Sequence, residues 1–180
     1  MQIVSQRLIL RPWEDSDRPA FAELSADGEV MAHLMPLATR EASDAWIDRQ
    51  IVHLSTHGFC FWAVESKEAG TFVGAVGLFK VSYTAHFTPA VEVGWRISRP
   101  FWGQGYAPEA AEGVLRFGFE DLRLQEIVAN ASAGNTRSQR VMTKLGMSHD
   151  AEDDFDHPLI PEDNPLRRQV LYRLTRDRWL

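Results

Sequence analysis

The chain has 180 residues and a single cysteine, Cys60, so no disulfide can form within it. No apolar run approaches the length that spans a membrane, and residues 1–7 lack the apolar core of a signal peptide. Acidic residues outnumber basic ones, 25 to 19, and the formal charge of −6 argues against nucleic acid as the main partner. We therefore expect a reducing compartment, with the cytoplasm as the default, and neither a nucleic-acid nor a membrane partner.

Composition and length suit one globular domain, which we predict to cover residues 1–180. Runs rich in aromatic and β-branched residues alternate with helical patterns, and this order predicts an α+β fold with a mixed sheet. Cys60 lies in one of these runs, where we interpret it as a small core residue. The predicted strands cover residues 8–13, 58–65, 72–81, 91–97, 126–130 and 169–174. The predicted helices lie around residues 21–24 and 30–34, over 39–58, from 107 onward, and over 135–146.

A turn with two glycines joins the strand-like run 91–97 to a helical pattern. Apolar residues at i, i+3, i+4 and i+7 spacing begin at Ala107. Pro108 suits the first turn of a helix, because its missing N–H has no partner there in any case. The free N–H groups of such a turn, together with the helix dipole, favour a phosphate or a diphosphate.

Two well-known phosphate loops do not fit this turn. A Walker-type loop needs lysine and then serine or threonine after its last glycine, where this chain has Tyr106 and Ala107. A dinucleotide fingerprint needs a third glycine, and Pro108 stands in that place. The turn alone also leaves open an ordinary strand–helix connection that binds no ligand.

Three segments resemble the GNAT superfamily of acetyl-coenzyme A-dependent N-acetyltransferases. Residues 102–107, Trp-Gly-Gln-Gly-Tyr-Ala, are similar to the family's pyrophosphate loop, Arg/Gln-x-x-Gly-x-Gly/Ala, but depart from it at Trp102. Residues 135–147 resemble the second signature, Asn-x-x-Ser followed by Lys-Leu-Gly-Phe/Met. Residues 7–12 resemble the ribosomal-protein (RimJ/RimL-like) branch. The three motifs stand in the family's order and together span most of the chain.

The resemblance implies a GNAT-like fold whose mixed, mostly antiparallel sheet is flanked by helices and splayed at its central strands. It implies acetyl-coenzyme A as co-substrate, no metal, and direct attack by an amine in a ternary complex. The acceptor is expected to be a protein N-terminus or a small-molecule amine, and the protein a monomer or a homodimer. The alternative is a non-catalytic acyl-coenzyme A sensor on the same fold. Met142 and Asn130 suggest that alternative, because they stand where relatives often carry catalytic residues.

The resemblance also implies a set of coenzyme-binding residues. The strand residues Trp95, Arg96 and Ile97 would pair with the pantetheine arm, and an N–H near Trp95 would polarise the thioester carbonyl. Asn135 would contact the same arm, or else cap the helix that follows it. The pyrophosphate would bind the backbone of Gly103, Gln104, Gly105, Tyr106, Ala107 and Pro108.

The predicted catalytic residues are Glu92 and Ser138. Ser138 would approach the sulfur and protonate the leaving thiolate, a task that water can also perform. Glu92 lies beside the expected thioester, where burial would raise its pKa toward the range of a useful base. Its alternative is an outward surface carboxylate, and His86 and His149 are further candidates for the base.

Residues 150–157 form an acidic run, Asp-Ala-Glu-Asp-Asp-Phe-Asp-His. Such a run can attract a cationic amine or a metal, but a solvated loop is its commoner meaning. No His/Cys spacing in the sequence argues for zinc.

Overall fold

The computed structural model of the chain describes residues 2–179. Its central element is one sheet of nine strands. The strands are β1 (Ile3–Val4), β2 (Leu8–Arg11), β3 (Phe61–Ser66), β4 (Thr71–Lys80), β5 (Val91–Ile97), β6 (Glu126–Ser132), β7 (Ser148–His149), β8 (Phe155–Asp156) and β9 (Arg168–Thr175).

Helices cover both faces of the sheet. They are α1 (Arg18–Ala26), α2 (Gly28–Met31), α3 (Arg40–His57), α4 (Tyr106–Arg116), α5 (Thr136–Lys144) and α6 (Arg176–Trp179). The predicted ends of α3 are confirmed. The Thr39 hydroxyl accepts a hydrogen bond from the Ala42 N–H, and Gly58 ends the helix in the left-handed conformation.

The sheet has the order β1-β2-β3-β4-β5-β6-β9-β7, with β8 also paired to β9. All neighbouring strands are antiparallel except β5 and β6, which run parallel and pair at one position, Glu92 opposite Val128. The rest of these two strands carries no ladder pairing between them within the described residues. The predicted mixed, mostly antiparallel sheet with a central splay is therefore confirmed.

Each face of the sheet buries its own core. On one face, the rings of Trp13, Phe21 and Trp46 lie with centroids 4.7–5.9 Å apart and join α1 and α3 to the sheet. On the other face, Val114 and Leu115 of α4 are fully buried. The strand β5 lies between the two layers and carries four of the predicted site residues, which are Glu92, Trp95, Arg96 and Ile97.

Several predicted boundaries needed correction. Strand β3 begins at Phe61, because the left-handed Gly58 and a short connection precede it. The short strands β1, β7 and β8 were not predicted, since two residues carry no measurable periodicity. Cys60 is fully buried, as predicted, and burial raises the pKa of its thiol to about 12. No helix within residues 2–179 is long and apolar enough to cross a membrane.

His53 of α3 is a buried histidine that the fold holds neutral. Its Nε2 accepts a hydrogen bond from the Lys80 N–H at 3.2 Å, so Nδ1 carries the proton and donates to the Phe59 carbonyl at 2.7 Å. Burial lowers the pKa of His53, and the nearby His57 and Lys80 lower it further. Its contribution to stability is therefore present above the unfolded-state pKa of about 6.5 and is lost as the pH falls below that value.

We expect the urea concentration at the unfolding midpoint of the wild type to be lower at pH 5.5 than at pH 7.5. The decrease should be smaller in His53→Gln. Urea unfolding of both proteins at the two pH values measures this difference. Equal falls in the two proteins would show that another group controls the acid sensitivity.

Candidate functional site

The glycine loop presents a row of unused backbone donors. Gly103 and Gly105 have φ of +74° and +79°, the left-handed region that favours glycine. Within residues 2–179, no backbone N–H from Gly103 to Ala107 donates a hydrogen bond of ordinary geometry. Helix α4 begins at Tyr106, so its positive end adds to these donors. The arrangement suits an anion with several oxygens, such as a diphosphate.

Arg7, the first residue of the segment 7–12, contacts both the glycine loop and α4. Its Nη1 donates to the Gln104 carbonyl at 2.9 Å, and its Nε donates to Glu109 of α4 at 2.6 Å. Ser5 donates to the same carboxylate at 2.7 Å. Ser5 and Arg7 therefore support the glycine loop and the start of α4, a role that the sequence did not reveal.

A cavity of about 400 Å³, here named the loop cavity, lies between the glycine loop and α5. Arg137, Arg140 and Lys144 of α5 line its far side and add positive charge. Gln104 does not line it, and its side chain donates to the Pro100 carbonyl instead. The predicted coenzyme residues that do line it are Trp95, Arg96, Ile97, Gly103, Gly105, Tyr106, Ala107, Pro108, Asn135 and Ser138.

A second cavity of about 280 Å³, here named the strand cavity, opens where β5 and β6 part. Glu92 and Asn130 line it from the two strands. Gly94 lets the ring of Phe61 approach this wall, because a Cβ at Gly94 would lie 2.8 Å from that ring. The two cavities meet at a shared set of residues, which are His33, Leu34, Trp95, Arg96, Asn135 and Ser138.

Asn135 caps the N-terminus of α5, which is one of the two roles predicted for it. Its Oδ1 accepts a hydrogen bond from the Ser138 N–H at 3.1 Å. Within the described part of the chain, neither the Asn135 Nδ2 nor the Ser138 Oγ makes a hydrogen bond. Both groups remain available to a ligand at the junction of the cavities.

Glu92 is half-buried in the wall of the strand cavity. Burial raises the pKa of its carboxyl, while a hydrogen bond from Asn130 and the charge of Arg96 oppose the shift. The Asn130 Nδ2 donates to the Glu92 Oε2 at 2.8 Å and fixes the orientation of the carboxylate. A carboxylate with a raised pKa in a cavity is suited to accept a proton near neutral pH.

The other candidate bases lie elsewhere. His86 contacts Asp153 at 3.2 Å and His149 contacts Asp154 at 2.7 Å, and neither histidine lines the strand cavity. Arg173 also donates to Asp153, at 2.7 and 3.1 Å. The acidic run therefore makes ion pairs within the fold.

Three side chains in the strand cavity were missed by sequence reasoning. His33 follows α2, and its Nδ1 lies 3.2 Å from the Ser132 hydroxyl oxygen. Tyr83 and His157 lie in two loops that are far apart in the sequence, and the centroids of their rings are 4.2 Å apart. No local pattern could have found them, because only the tertiary fold brings these loops together. Within residues 2–179, no group of three or more His, Cys, Asp or Glu residues is arranged to hold a metal ion.

Comparison with known proteins shows the family of the chain. A family model described as "Acetyltransferase (GNAT) domain" matches residues 7–148. The FsC-acetyl coenzyme A-N(2)-transacetylase of Aspergillus fumigatus is 33% identical over 181 residues, covering 97% of this chain and 76% of that protein.

Solved structures show the same fold. A GNAT-family acetyltransferase from Bacillus anthracis has a TM-score of 0.80 and is 26% identical in sequence. The alignment covers 98% of this chain and 99% of the Bacillus anthracis chain. A ribosomal-protein-S5-alanine acetyltransferase from Vibrio fischeri has a TM-score of 0.76 and 19% identity, covering 100% of this chain and 99% of its own. The second likeness is one of fold alone. Because the family model covers most of the chain, the chain belongs to the GNAT acetyltransferases and is an acetyl-coenzyme A-dependent acyltransferase.

Proposed function

We propose that residues 1–180 act as one domain that transfers the acetyl group of acetyl-coenzyme A to the nitrogen of a primary amine. The observation that carries this proposal is the meeting of the two cavities at Trp95 and Ser138. One cavity offers anion-binding amides, and the other holds Glu92, a carboxylate with a raised pKa. Coenzyme and acceptor can therefore reach one point from opposite sides.

The coenzyme would fill the loop cavity. Its diphosphate would accept hydrogen bonds from the free N–H groups of residues 103–107, with the basic side chains of α5 opposite. The pantetheine arm would lie along the unpaired edge of β5, beside Trp95 and Ile97. The Asn135 Nδ2 would donate to a carbonyl of that arm, since its Oδ1 is already engaged.

The reaction would proceed by direct attack. Glu92 takes a proton from the ammonium form of the acceptor, whose pKa in solution is about 10. The neutral nitrogen attacks the thioester carbonyl carbon, and an N–H near Trp95 stabilises the oxyanion. The nitrogen of the intermediate still carries one proton more than the amide needs. Collapse breaks the C–S bond, and that proton passes through Ser138 or water to the leaving thiolate, which gives an amide and coenzyme A.

The Ser138 hydroxyl or a water molecule protonates the leaving thiolate. Met142 stands where many relatives carry a tyrosine, and its side chain is buried and cannot donate a proton. The Ser138 hydroxyl lines both cavities and is available for the task.

The acceptor is proposed to be a small-molecule or peptide amine, with the protein acting as a monomer or a homodimer in the cytoplasm. The name of the Aspergillus fumigatus relative, an N(2)-transacetylase, supports a nitrogen acceptor. A non-catalytic sensor is the second candidate, favoured only by Met142 and Asn130. The bond between Asn130 and Glu92 weighs against that candidate, because it positions a base.

Acetyl-coenzyme A at about a hundred times its dissociation constant is expected to raise the melting temperature by roughly 5–10 °C, and ATP and NAD at the same concentration are not. Thermal melts with each ligand measure this. Turnover is then followed as thiol release from acetyl-coenzyme A with a panel of primary amines.

Amine-dependent thiol release supports the transferase. Tight coenzyme binding without release for any amine in a broad panel would favour the sensor instead. An equal shift with ATP or NAD would contradict the assignment of the loop cavity to coenzyme A.

A further inference from the structure

Arg96 places a cation in the wall of the strand cavity. Arg96 and its neighbour Trp95 lie on opposite faces of β5. Arg96 lies on the same face as Glu92, because residues four apart on a strand share a face. Its guanidinium lies 4.8 Å from the ring centroid of Trp46, which supports it from α3. The Arg96 Nη1 is buried and has no hydrogen-bond partner among the described residues.

The fold compensates this charge only in part. The Arg96 guanidinium makes no ion pair within 4.0 Å among residues 2–179, and Arg49 lies close enough to disfavour its positive charge. Burial, with the charge of Arg49, lowers the pKa of Arg96 to about 10, and the charge of Glu92 only partly opposes this. A buried cation without a partner is costly unless a ligand supplies an anion.

The other groups of the strand cavity narrow the choice of ligand. Among the described residues that line it, Glu92 is the only carboxylate, and the proposed reaction uses it for the amine undergoing acetylation. A second ammonium group on the acceptor would therefore meet no carboxylate, and it would face Arg96 instead. This arrangement disfavours polyamines.

We propose that the acceptor is an amine that also carries a carboxylate, as a free amino acid does, and that Arg96 binds this carboxylate. The inference rests on the proposed transferase function and specifies its substrate class. Arginine suits the task because its planar guanidinium can donate two parallel hydrogen bonds to a carboxylate. With the carboxylate held by Arg96, the amine is directed toward Glu92 on the same face of β5.

Matched pairs of acceptors test the proposal. Each pair is an amino acid and its decarboxylated amine, such as phenylalanine with phenethylamine, lysine with cadaverine, and serine with ethanolamine. The wild type is expected to show a kcat/KM at least about tenfold higher for the amino acid of the preferred pair, as loss of a charged hydrogen bond predicts. Arg96→Gln is expected to bring that ratio close to one.

Three further measurements separate recognition from a structural effect. Arg96→Lys keeps the charge and should restore part of the preference. The exposed Arg49 provides the matched control, and Arg49→Gln should change the ratio less than threefold. The proposed pairing of Arg96 with the pantetheine arm uses its backbone, so the dissociation constant of coenzyme A should change less than threefold in Arg96→Gln. A larger change would assign the side chain to the coenzyme and overturn the inference.

Equal or better turnover of the decarboxylated amines by the wild type would overturn the inference and leave the transferase function standing. An equal loss for both members of a pair in Arg96→Gln would also overturn it, by assigning Arg96 a structural role. No acetylation of any amine, despite coenzyme binding, would instead contradict the proposed function, and the inference with it.

Discussion

Gly105→Val is expected to weaken coenzyme A binding by about 10²-fold or more while the protein remains folded. Gly105 has φ of +79°, a conformation that costs a β-branched residue roughly 1–2 kcal/mol. A Cβ there would meet only the Arg7 Nη2, at 3.5 Å, so the substitution removes no packing. The strain is relieved by rotating the loop, which turns the N–H groups of residues 103–107 away from the diphosphate. Two lost hydrogen bonds to a charged group, at about 1.5–3 kcal/mol each, account for the expected factor.

Gly58→Val is the matched control for this measurement. Gly58 ends α3 with φ of +80°, and a Cβ there would meet nothing within 4 Å. The two variants should therefore lose similar stability in thermal melts, but only Gly105→Val should lose affinity in a calorimetric titration with coenzyme A. An unchanged dissociation constant in Gly105→Val would remove the glycine loop from the binding site.

The parts of the site that local sequence specifies were predictable. The alternating, β-branched run of β5 fixes its bounds at Val91–Ile97, where the structure has them. The two glycines and Pro108 predicted the turn before α4, because few residues other than glycine adopt a positive φ. Asn135 was recognised as a possible helix cap, and its side chain does cap α5.

The parts that depend on tertiary contacts were not predictable. The single pairing of Glu92 with Val128 opens the sheet, and it reflects how whole layers pack rather than any local pattern. His33 and His157 reach the strand cavity from loops far apart in the sequence. The Arg96 side chain is an intermediate case. Alternation along β5 could have placed it on the face of Glu92, but only the structure shows that its Nη1 is buried without a hydrogen-bond partner among the described residues.

Asn130 has a contact that the sequence alone does not reveal. Where some relatives carry a glutamate, an amide removes a possible base, and this suggested a sensor. In the structure the Asn130 Nδ2 donates to the Glu92 carboxylate at 2.8 Å, so the amide on β6 orients a carboxylate on β5. The Tyr83 hydroxyl lies 3.5 Å from the same amide nitrogen and extends this polar chain into the strand cavity.

Glu92→Gln is expected to lower kcat by about 10² or more near neutral pH, which is the usual contribution of a general base. Glutamine keeps the size of the side chain and can still accept the hydrogen bond from Asn130, so the wall of the cavity is preserved. Since burial raises the pKa of Glu92, wild-type activity should fall on the acid side as this carboxyl becomes protonated. The variant should lack the part of this fall that the protonation of Glu92 causes. Its rate should rise with pH as the free amine forms in solution, and the loss should shrink toward the amine pKa of about 10.

Profiles of kcat and kcat/KM against pH for both proteins measure this difference, with Glu126→Gln as the control. Glu126 lies on the adjacent strand β6 and pairs with Arg173 at 2.9 Å, outside the strand cavity, so its replacement should leave the profile unchanged. A constant ratio of wild-type to variant rates at every pH would show that Glu92 positions the acceptor without taking its proton. The base would then have to be sought among His33, Tyr83 and His157, which line the same cavity. The ratio of wild-type to variant rates is the deciding quantity, because the acceptor amine titrates in both experiments and its effect cancels in the ratio.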